Sequence, residues 1–162
     1  MHAYIALGSN LNDPIAQVRC GARALDKLPE TRARRCSSLY RTAPIGITAQ
    51  PDFINAVCEI DTELSAQDLL RALLVIEQTQ GRIRDIPGGP RTLDLDLLLY
   101  GDLVCHAAGL TLPHPRLHER AFVLYPLSEL SPGLDIPGRG RVDKLLAACV
   151  GQAIERLDAL DD

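Results

Sequence analysis

The sequence predicts an α+β domain with the ferredoxin-like order β-α-β-β-α-β, in which helices pack on an antiparallel sheet, followed by C-terminal additions. Two patterns support this fold class. Apolar residues alternate in some segments, as in half-buried strands, and recur every three or four positions in others, as in amphipathic helices. The 162 residues contain no linker and no internal repeat, so we expect a single domain over 1–162.

The first strand and the first helix are predicted near the N-terminus. Residues 3–7 form a short apolar strand that ends at the turn signal of residues 8–10. Asp13 then supplies an N-cap with Pro14 at the first helical position, and apolar residues recur at helical spacing until Pro29.

Two more strands and a second helix follow. We predict a strand over 35–42, a Pro/Gly-rich loop over 43–51 that is long enough to be functional, and an alternating strand over 53–62. Ser65 begins the next helix with a capping-box-like pattern, and Gly81 is expected to end it.

The remaining chain is predicted to contain one strand and two helices. A strand over 92–100 places leucines on one face and two aspartates on the other. A short helix over 118–130 and a loop over 131–141 precede a last helix, whose apolar residues run through 142–157. Residues 158–162 are expected to be a frayed tail.

Composition excludes several classes of protein. A net charge of −4 with 4% aromatic residues argues against a nucleic-acid-binding surface, and no apolar run approaches the roughly 18 residues of a membrane span. The five cysteines are odd in number and widely spaced, so we predict small buried side chains in a reducing cytoplasm, without disulfides or zinc. Only Lys27 and Lys144 of the 17 basic residues are lysines, which indicates either genome bias or arginines that bind phosphate.

Asp94 and Asp96 are the strongest candidates for catalysis. On one strand their side chains share a face roughly 7 Å apart, and two like charges so placed need compensation. Mg²⁺ would provide it, since this ion prefers carboxylates together with substrate phosphates; a solvated strand face is the alternative. The leucines opposite and Arg91 just upstream favour the metal.

Charged residues on neighbouring segments are candidates for phosphate binding. Arg82, Arg84 and Arg91 lie in or beside a Gly/Pro-rich loop that could close over a polyphosphate, or they are ordinary surface charges. His114 stands between two prolines and could donate to a phosphate, although such a histidine can also be structural. Glu77 either pairs with Arg82 or contributes to the site.

An aromatic residue and an amide on the third predicted strand suit a flat heterocycle. Phe53 and Asn55 project from the same face, so one can stack while the other both donates and accepts hydrogen bonds. Phe122 is a second aromatic candidate. Each phenylalanine could instead be part of the core.

Several motifs occur together and in a fixed order between residues 4 and about 130. They are Ala6-Leu7-Gly8-Ser9-Asn10-Leu11, Tyr40-Arg41-Thr42, Gln50-Pro51-Asp52-Phe53-Ile54-Asn55, Glu77 with Gly81-Arg82, Gly89-Pro90-Arg91-Thr92-Leu93-Asp94-Leu95-Asp96, Pro113-His114 and Arg120-Ala121-Phe122. In these motifs the chain resembles the 6-hydroxymethyl-7,8-dihydropterin pyrophosphokinase family. The run that begins at Gly89 is the most specific of them.

The resemblance implies a reaction of tetrahydrofolate biosynthesis. The hydroxymethyl oxygen of the pterin attacks the β-phosphorus of ATP, diphosphate moves to the pterin and AMP leaves, with two Mg²⁺ ions held by Asp94 and Asp96. The resemblance implies catalytic roles for Arg82 and Arg91. The residues implied at the ATP are Glu77, Arg84, Arg91, Leu97, Thr111, His114 and Arg120. The residues implied at the pterin are Thr42, Ile45, Phe53, Asn55 and Phe122.

Two alternatives stay open at this point. Another magnesium-dependent nucleotidyl- or phosphotransferase on a ferredoxin-like scaffold also uses paired strand acids, but it leaves Phe53, Asn55 and Phe122 unexplained. A small ligand- or RNA-binding module is the other alternative, which the composition opposes. We expect a cytoplasmic monomer without nucleic-acid or membrane partners. The chain departs from the family at Gly88, where many relatives carry Trp, and at Pro115, where an aromatic is common.

Overall fold

The secondary structure is taken from a computed structural model that describes residues 1–44, 49–80, 92–107, 109–149 and 151–160. Two helices, each preceded and followed by strands, occupy the first half of the chain. The elements are β1 (His2–Ser9), α1 (Pro14–Asp26), β2 (Thr31–Cys36), β3 (Ser38–Thr42), β4 (Phe53–Thr62), α2 (Ala66–Thr79), β5 (Asp94–Tyr100), β6 (Cys105–Ala107), β7 (Leu110–Leu112), a 3₁₀ turn (Leu117–Glu119), α3 (Ala121–Leu130), β8 (Asp135–Ile136), β9 (Gly140–Arg141), α4 (Val142–Ala148) and β10 (Ile154–Ala159).

A six-stranded antiparallel sheet organises the fold. Its strand order is β10-β3-β4-β1-β5, and β2 pairs with β4 beside β3. The predicted α+β class with an antiparallel sheet is therefore confirmed. Strand β1 lies between β4 and β5, so side chains from three strands come together along it.

Helices cover both faces of this sheet. On one face α1 and α2 bury Leu25 and Leu73 against Ile5. On the other face α3 and α4 lie over Val57, and Leu124 is buried there. Burying a side chain of this kind contributes about 1.5–3 kcal/mol, so each layer holds the sheet firmly. No helix in the described part of the chain is long and apolar enough to cross a membrane.

The predicted N-caps of α1 and α2 are present. The side chain of Asp13 accepts a hydrogen bond from the N–H of Ala16, and Ser65 Oγ accepts one from the N–H of Asp68 at 3.1 Å. Each bond satisfies a first-turn donor that has no partner within its helix. The sequence therefore locates the start of both helices to within a residue.

The strand predicted over 35–42 is wrong in extent, because it is two strands interrupted at Ser37. The N–H of Ser37 donates to the carbonyl of Val57 at 2.8 Å, and Ser37 Oγ accepts from the N–H of Val57 at 3.0 Å. A side-chain oxygen thus replaces a backbone acceptor, and both β2 and β3 pair with the same edge of β4.

The alternation predicted for β5 holds only as far as Leu97. The register with β1 changes between Tyr4, which faces Leu99, and Ile5, which faces Leu97. Leu98 is therefore an extra residue of a β-bulge, which reverses the faces of the residues beyond it. Leu99 joins the apolar layer under α3 and α4, not the face of Leu97 that was predicted for it.

The last helix predicted from residue 142 is present as α4, but the predictions for the residues after it are wrong. Helix α4 ends at Ala148, and the residues predicted to continue it form β10, which pairs with β3. Gly151 lies between them with a φ of 77°, a conformation that glycine adopts readily. Leu160, expected in a frayed tail, is buried in the core at 5% exposure. The predicted loop over 131–141 also contains the short hairpin β8–β9.

One cysteine pair contradicts the predicted absence of disulfides. Cys36 and Cys58 face each other on β2 and β4 and are joined by a disulfide. Their spacing along the chain gives no sign of this, since only the strand register brings them together. Cys20, Cys105 and Cys149 are free and half-buried.

Replacing Leu160 with alanine tests the ordered C-terminus. The buried side chain leaves a cavity when truncated, so Leu160→Ala should lower the free energy of unfolding in urea by about 2–4 kcal/mol. Leu103→Ala is the matched control, because Leu103 is 42% exposed. Equal small effects of the two substitutions would show that residue 160 does not belong to the core.

Candidate active site

Small residues on β1 lie between polar residues on its two neighbours. Gly8 is paired with Asn55 of β4 on one side and with Asp94 of β5 on the other. Two residues earlier, Ala6 is paired with Asp96. Directly paired residues project from the same face of a sheet, so the two small residues form a low floor between an amide and two carboxylates.

Gly8 is the residue that permits this arrangement. A Cβ at Gly8 would lie 3.0 Å from Asn55 Oδ1, which is closer than a carbon and an oxygen normally approach. Asn55 has little room to move away, because it is buried and its Nδ2 donates to Thr42 Oγ1 at 2.8 Å. A glycine inside a strand often marks such a close approach. The sequence pattern predicted Gly8 only as part of a turn and not as a residue of the site.

The floor opens into a cavity of about 600 Å³, a size typical of small-molecule sites. Polar and apolar residues from four strands (β1, β3, β4 and β5), the segment after β3, the turn before α3, α3 itself and the turn before β10 line it. They are Ala6, Leu7, Gly8, Thr42, Ala43, Phe53, Asn55, Asp94, Asp96, Arg116, Glu119, Arg120, Phe122 and Gln152. The cavity thus brings together both predicted phenylalanines, the predicted amide and the predicted carboxylate pair.

Arg120 interacts electrostatically with both members of the carboxylate pair. Burial lowers the pKa of its guanidinium, whereas Asp96 and Asp94 act in the opposite direction by attracting the positive charge. The guanidinium carbon also lies 5.4 Å from the ring centroid of Phe122, within cation–π range. Arg120 therefore connects the aromatic and acidic parts of the cavity.

His114 is held as a neutral imidazole beside this group. Burial, and next the positive charge of Arg120, lower the pKa of His114 to about 4, although Asp94 opposes them. Its Nδ1 accepts from the N–H of Arg116 at 3.2 Å, which assigns the hydrogen to Nε2. The backbone N–H of His114 donates to the backbone carbonyl of Leu98 on β5 at 2.9 Å, which holds the residue beside the strand. At neutral pH the ring can therefore donate a hydrogen bond without carrying charge.

Glu77 supports the strand that carries the carboxylates. It lies on α2 at 1% exposure, and its Oε2 accepts from the N–H of Leu95 at 2.7 Å. Because β5 is an edge strand, this N–H points away from β1. The bond fixes the backbone between Asp94 and Asp96. Glu77 itself does not line the cavity.

Several predicted site residues are not found in the cavity. Leu97 is buried on the opposite face of the sheet, and Thr111 is half-buried on β7. Their roles near a nucleotide stay predictions. His114 interacts with Arg120 but is not among the residues that line the cavity. Four predicted residues lie outside the described part of the chain: Ile45, Arg82, Arg84 and Arg91.

Three of the polar lining residues were not predicted: Arg116, Glu119 and Gln152. Arg116 and Glu119 belong to the turn before α3, and their charged groups are 3.7 Å apart. Their proximity in sequence to His114 is a signal that could have identified them. Gln152 comes from the turn before β10, in a segment predicted to be helical, and no motif points to it.

The carboxylate pair fits a metal that shares its ligands with a substrate. Among the described residues there is no group of three or more His, Cys, Asp and Glu side chains that could hold a metal ion. Asp94 and Asp96 provide two hard oxygen donors beside the open floor, and Mg²⁺ is typically bound by one or two carboxylates plus phosphates. The residues present therefore suit Mg²⁺ bound together with a phosphate-bearing ligand.

Comparisons of the sequence with known proteins point to one family, and comparison of the fold gives a consistent result. The family model described as 7,8-dihydro-6-hydroxymethylpterin-pyrophosphokinase (HPPK) matches residues 4–132. A Pseudomonas aeruginosa protein named 2-amino-4-hydroxy-6-hydroxymethyldihydropteridine pyrophosphokinase is 49% identical over 154 residues, 95% of each chain. A Haemophilus influenzae protein of the same name is 45% identical over 144 residues, 89% of this chain and 90% of that one. A solved structure of HPPK-DHPS from Plasmodium falciparum has a similar fold, with a TM-score of 0.73 at 12% identity, over 91% of this chain and 45% of that one.

The protonation of His114 is open to direct measurement. NMR titration of the imidazole should give a pKa of about 4, and Arg120→Gln should raise it toward the usual value of about 6.5. Arg139→Gln, at an exposed and remote arginine, should leave it unchanged. Because the pKa is lowered in the folded state, the stability that the neutral ring provides is lost as the pH falls from about 6.5 toward 4. A wild-type titration near 6.5 would contradict this assignment.

Proposed function

The chain belongs to the 7,8-dihydro-6-hydroxymethylpterin-pyrophosphokinase family and is a pyrophosphokinase of folate biosynthesis, and we propose that the cavity along β1 is its active site. In this reaction the hydroxymethyl oxygen of 6-hydroxymethyl-7,8-dihydropterin attacks the β-phosphorus of ATP, and AMP leaves. The observation that carries the proposal is the arrangement of Asn55 and Asp94 on either side of Gly8. It places a group that can read a heterocycle next to groups that can hold a metal-bound phosphate.

We assign the pterin to the side of the floor formed by β3 and β4. Phe53 and Phe122 line this cavity and can stack on a flat ring. Asn55 Oδ1 remains available as an acceptor for a ring N–H, because the amide's Nδ2 is already bonded to Thr42. The Thr42 backbone and Ile45 complete the proposed pterin contacts.

We assign the phosphates of ATP to the side formed by β5 and the start of α3. Asp94 and Asp96 would hold Mg²⁺, which when bound neutralises phosphate charge and orients the transferring group. Arg120 adds a positive charge beside them, and the Nε2–H of His114 is a neutral donor for a phosphate oxygen. We propose the further phosphate contacts for Arg82, Arg84 and Arg91, and contacts nearer the nucleoside for Glu77, Leu97 and Thr111.

Such a site suits phosphoryl-type transfer because that reaction depends on positioning and charge stabilisation more than on a protein nucleophile. The strand residues are held by sheet pairing, and Arg120 stands at the first turn of a helix packed on that sheet. Groups on such elements keep their geometry when the substrate binds, so little reorganisation is needed during the reaction.

The strand topology and the number of metal ions belong to the same proposal. The order β5-β1-β4-β3 supports a ferredoxin-like core, and two adjacent carboxylates support two Mg²⁺ ions. We infer a monomer, because one chain supplies residues to every side of the cavity.

We also infer a cytoplasmic enzyme. The Cys36–Cys58 bond, which a reducing cytoplasm would open, lies on the face of β4 opposite to Asn55, so the site does not depend on it.

The products of the reaction test the proposal. With Mg²⁺, the pterin and γ-labelled ATP, the wild-type chain should form AMP and a labelled pterin diphosphate. Asp94→Asn and Asp96→Asn should each lower turnover by about 100-fold or more, since a ligand for the charge-stabilising metal is lost. Asp102→Asn, at an exposed carboxylate just beyond β5, should retain wild-type turnover.

Other products would contradict the proposal. ADP would indicate transfer of a single phosphate, and inorganic diphosphate would indicate nucleotidyl transfer. Normal turnover in a folded Asp96→Asn variant would remove that residue from the metal site.

A further inference from the structure

Gln152 holds the backbone on both sides of Arg120. Its Oε1 accepts from the N–H of Ala121 at 2.9 Å, and its Nε2 donates to the carbonyl of Glu119 at 2.8 Å. One side-chain amide therefore bonds to the residues that immediately precede and follow the arginine. Gln152 lies outside residues 4–132, the part of the chain that matches the family.

These bonds provide a hydrogen-bond partner at the start of α3, where the N-cap side chain provides none. Arg120 is the N-cap residue of α3, and no side chain at that position caps the helix. The first N–H groups of a helix have no partner within the helix, so a partner must come from elsewhere. Gln152 provides one from a segment 31 residues further along the chain, and it fixes Arg120 in an extended conformation with φ −112° and ψ 107°.

The same segment also holds the opposite wall of the cavity. Ile154, two residues after Gln152, is paired with Thr42 on β3. Thr42 in turn accepts the hydrogen bond that orients Asn55. The turn before β10 thus connects the wall that carries Asn55 with the helix that carries Arg120.

We propose that Gln152 is a positioning residue for the diphosphate transfer, because it sets the placement of Arg120 beside the carboxylates. This inference rests on the proposed function. Gln152 acts through Arg120, whose guanidinium carbon lies 5.4 Å from the ring centroid of Phe122, the second residue of α3. A displacement of about 1 Å in a positioned group can reduce the rate of an enzyme by up to about 100-fold, so the two hydrogen bonds can influence catalysis strongly.

Kinetics of substitutions in the full chain test this role. Gln152→Ala removes both bonds and should lower kcat/KM for ATP by about 10-fold, as a misplaced transition-state contact would. Gln152→Glu keeps an acceptor for the N–H of Ala121 and should lose less. Glu155→Ala is the matched control. It shortens an exposed side chain on β10 that pairs with Arg41, away from α3, and should behave as wild type.

A double substitution separates positioning from a general loss of stability. If Gln152 acts through Arg120, Gln152→Ala should change kcat/KM for ATP by less than about 2-fold when Arg120→Ala is already present. Independent, multiplying losses would overturn the proposal. Wild-type kinetics in a folded Gln152→Ala variant would overturn it as well.

A second readout does not require activity. Arg120 lowers the pKa of His114, so a displaced Arg120 should let that pKa rise in Gln152→Ala, while Glu155→Ala leaves it unchanged. An unchanged His114 titration in Gln152→Ala would show that Arg120 had not moved and would overturn the proposal. If the wild-type chain formed no AMP, the proposed function would fail, and this titration would still decide whether Gln152 positions Arg120.

Discussion

The register of β1 between β4 and β5 is the constraint on which the site depends. It pairs Gly8 with Asn55 and with Asp94, which produces a low floor flanked by an amide and carboxylates. The opposite face of β1 fixes this register, because Ile5 and Leu7 are buried against α1 and α2. A slip of one residue would turn those side chains out of the core, so the packing that stabilises the fold also aligns the site.

Polar contacts between side chains and backbone, in addition to apolar packing, hold the elements around the floor. The carboxylate of Glu77 accepts from the backbone N–H of Leu95, which lies between the two carboxylates of the edge strand β5. The backbone N–H of His114 donates to the carbonyl of Leu98 on the same strand. Gln152 holds the start of α3, where Arg120 stands. Each contact joins segments that are separated in sequence, and together these contacts bring groups from several strands and from α3 to one cavity.

The sequence predicted those parts of the structure that depend on the spacing of neighbouring residues within one element. The alternation of β4 and the carboxylates of β5 follows from the two-residue period of a strand, so Phe53, Asn55 and the carboxylate pair were identified together. Ile154 and Leu157 fit a helical spacing equally well, and only pairing with β3 makes them a strand. Gln152 was missed for the same reason, since its role comes from contacts with residues 119 and 121.

Binding by a Gly8→Ala variant tests the floor of the site most directly. A methyl group 3.0 Å from Asn55 Oδ1 must displace the amide, so pterin affinity should fall by about 10-fold or more while ATP affinity changes by less than about 2-fold. Gly133→Ala is the control, because the nearest atom to its Cβ, Arg141 Nη2, would be 3.8 Å away. Unchanged pterin affinity in a folded Gly8→Ala variant would contradict the account.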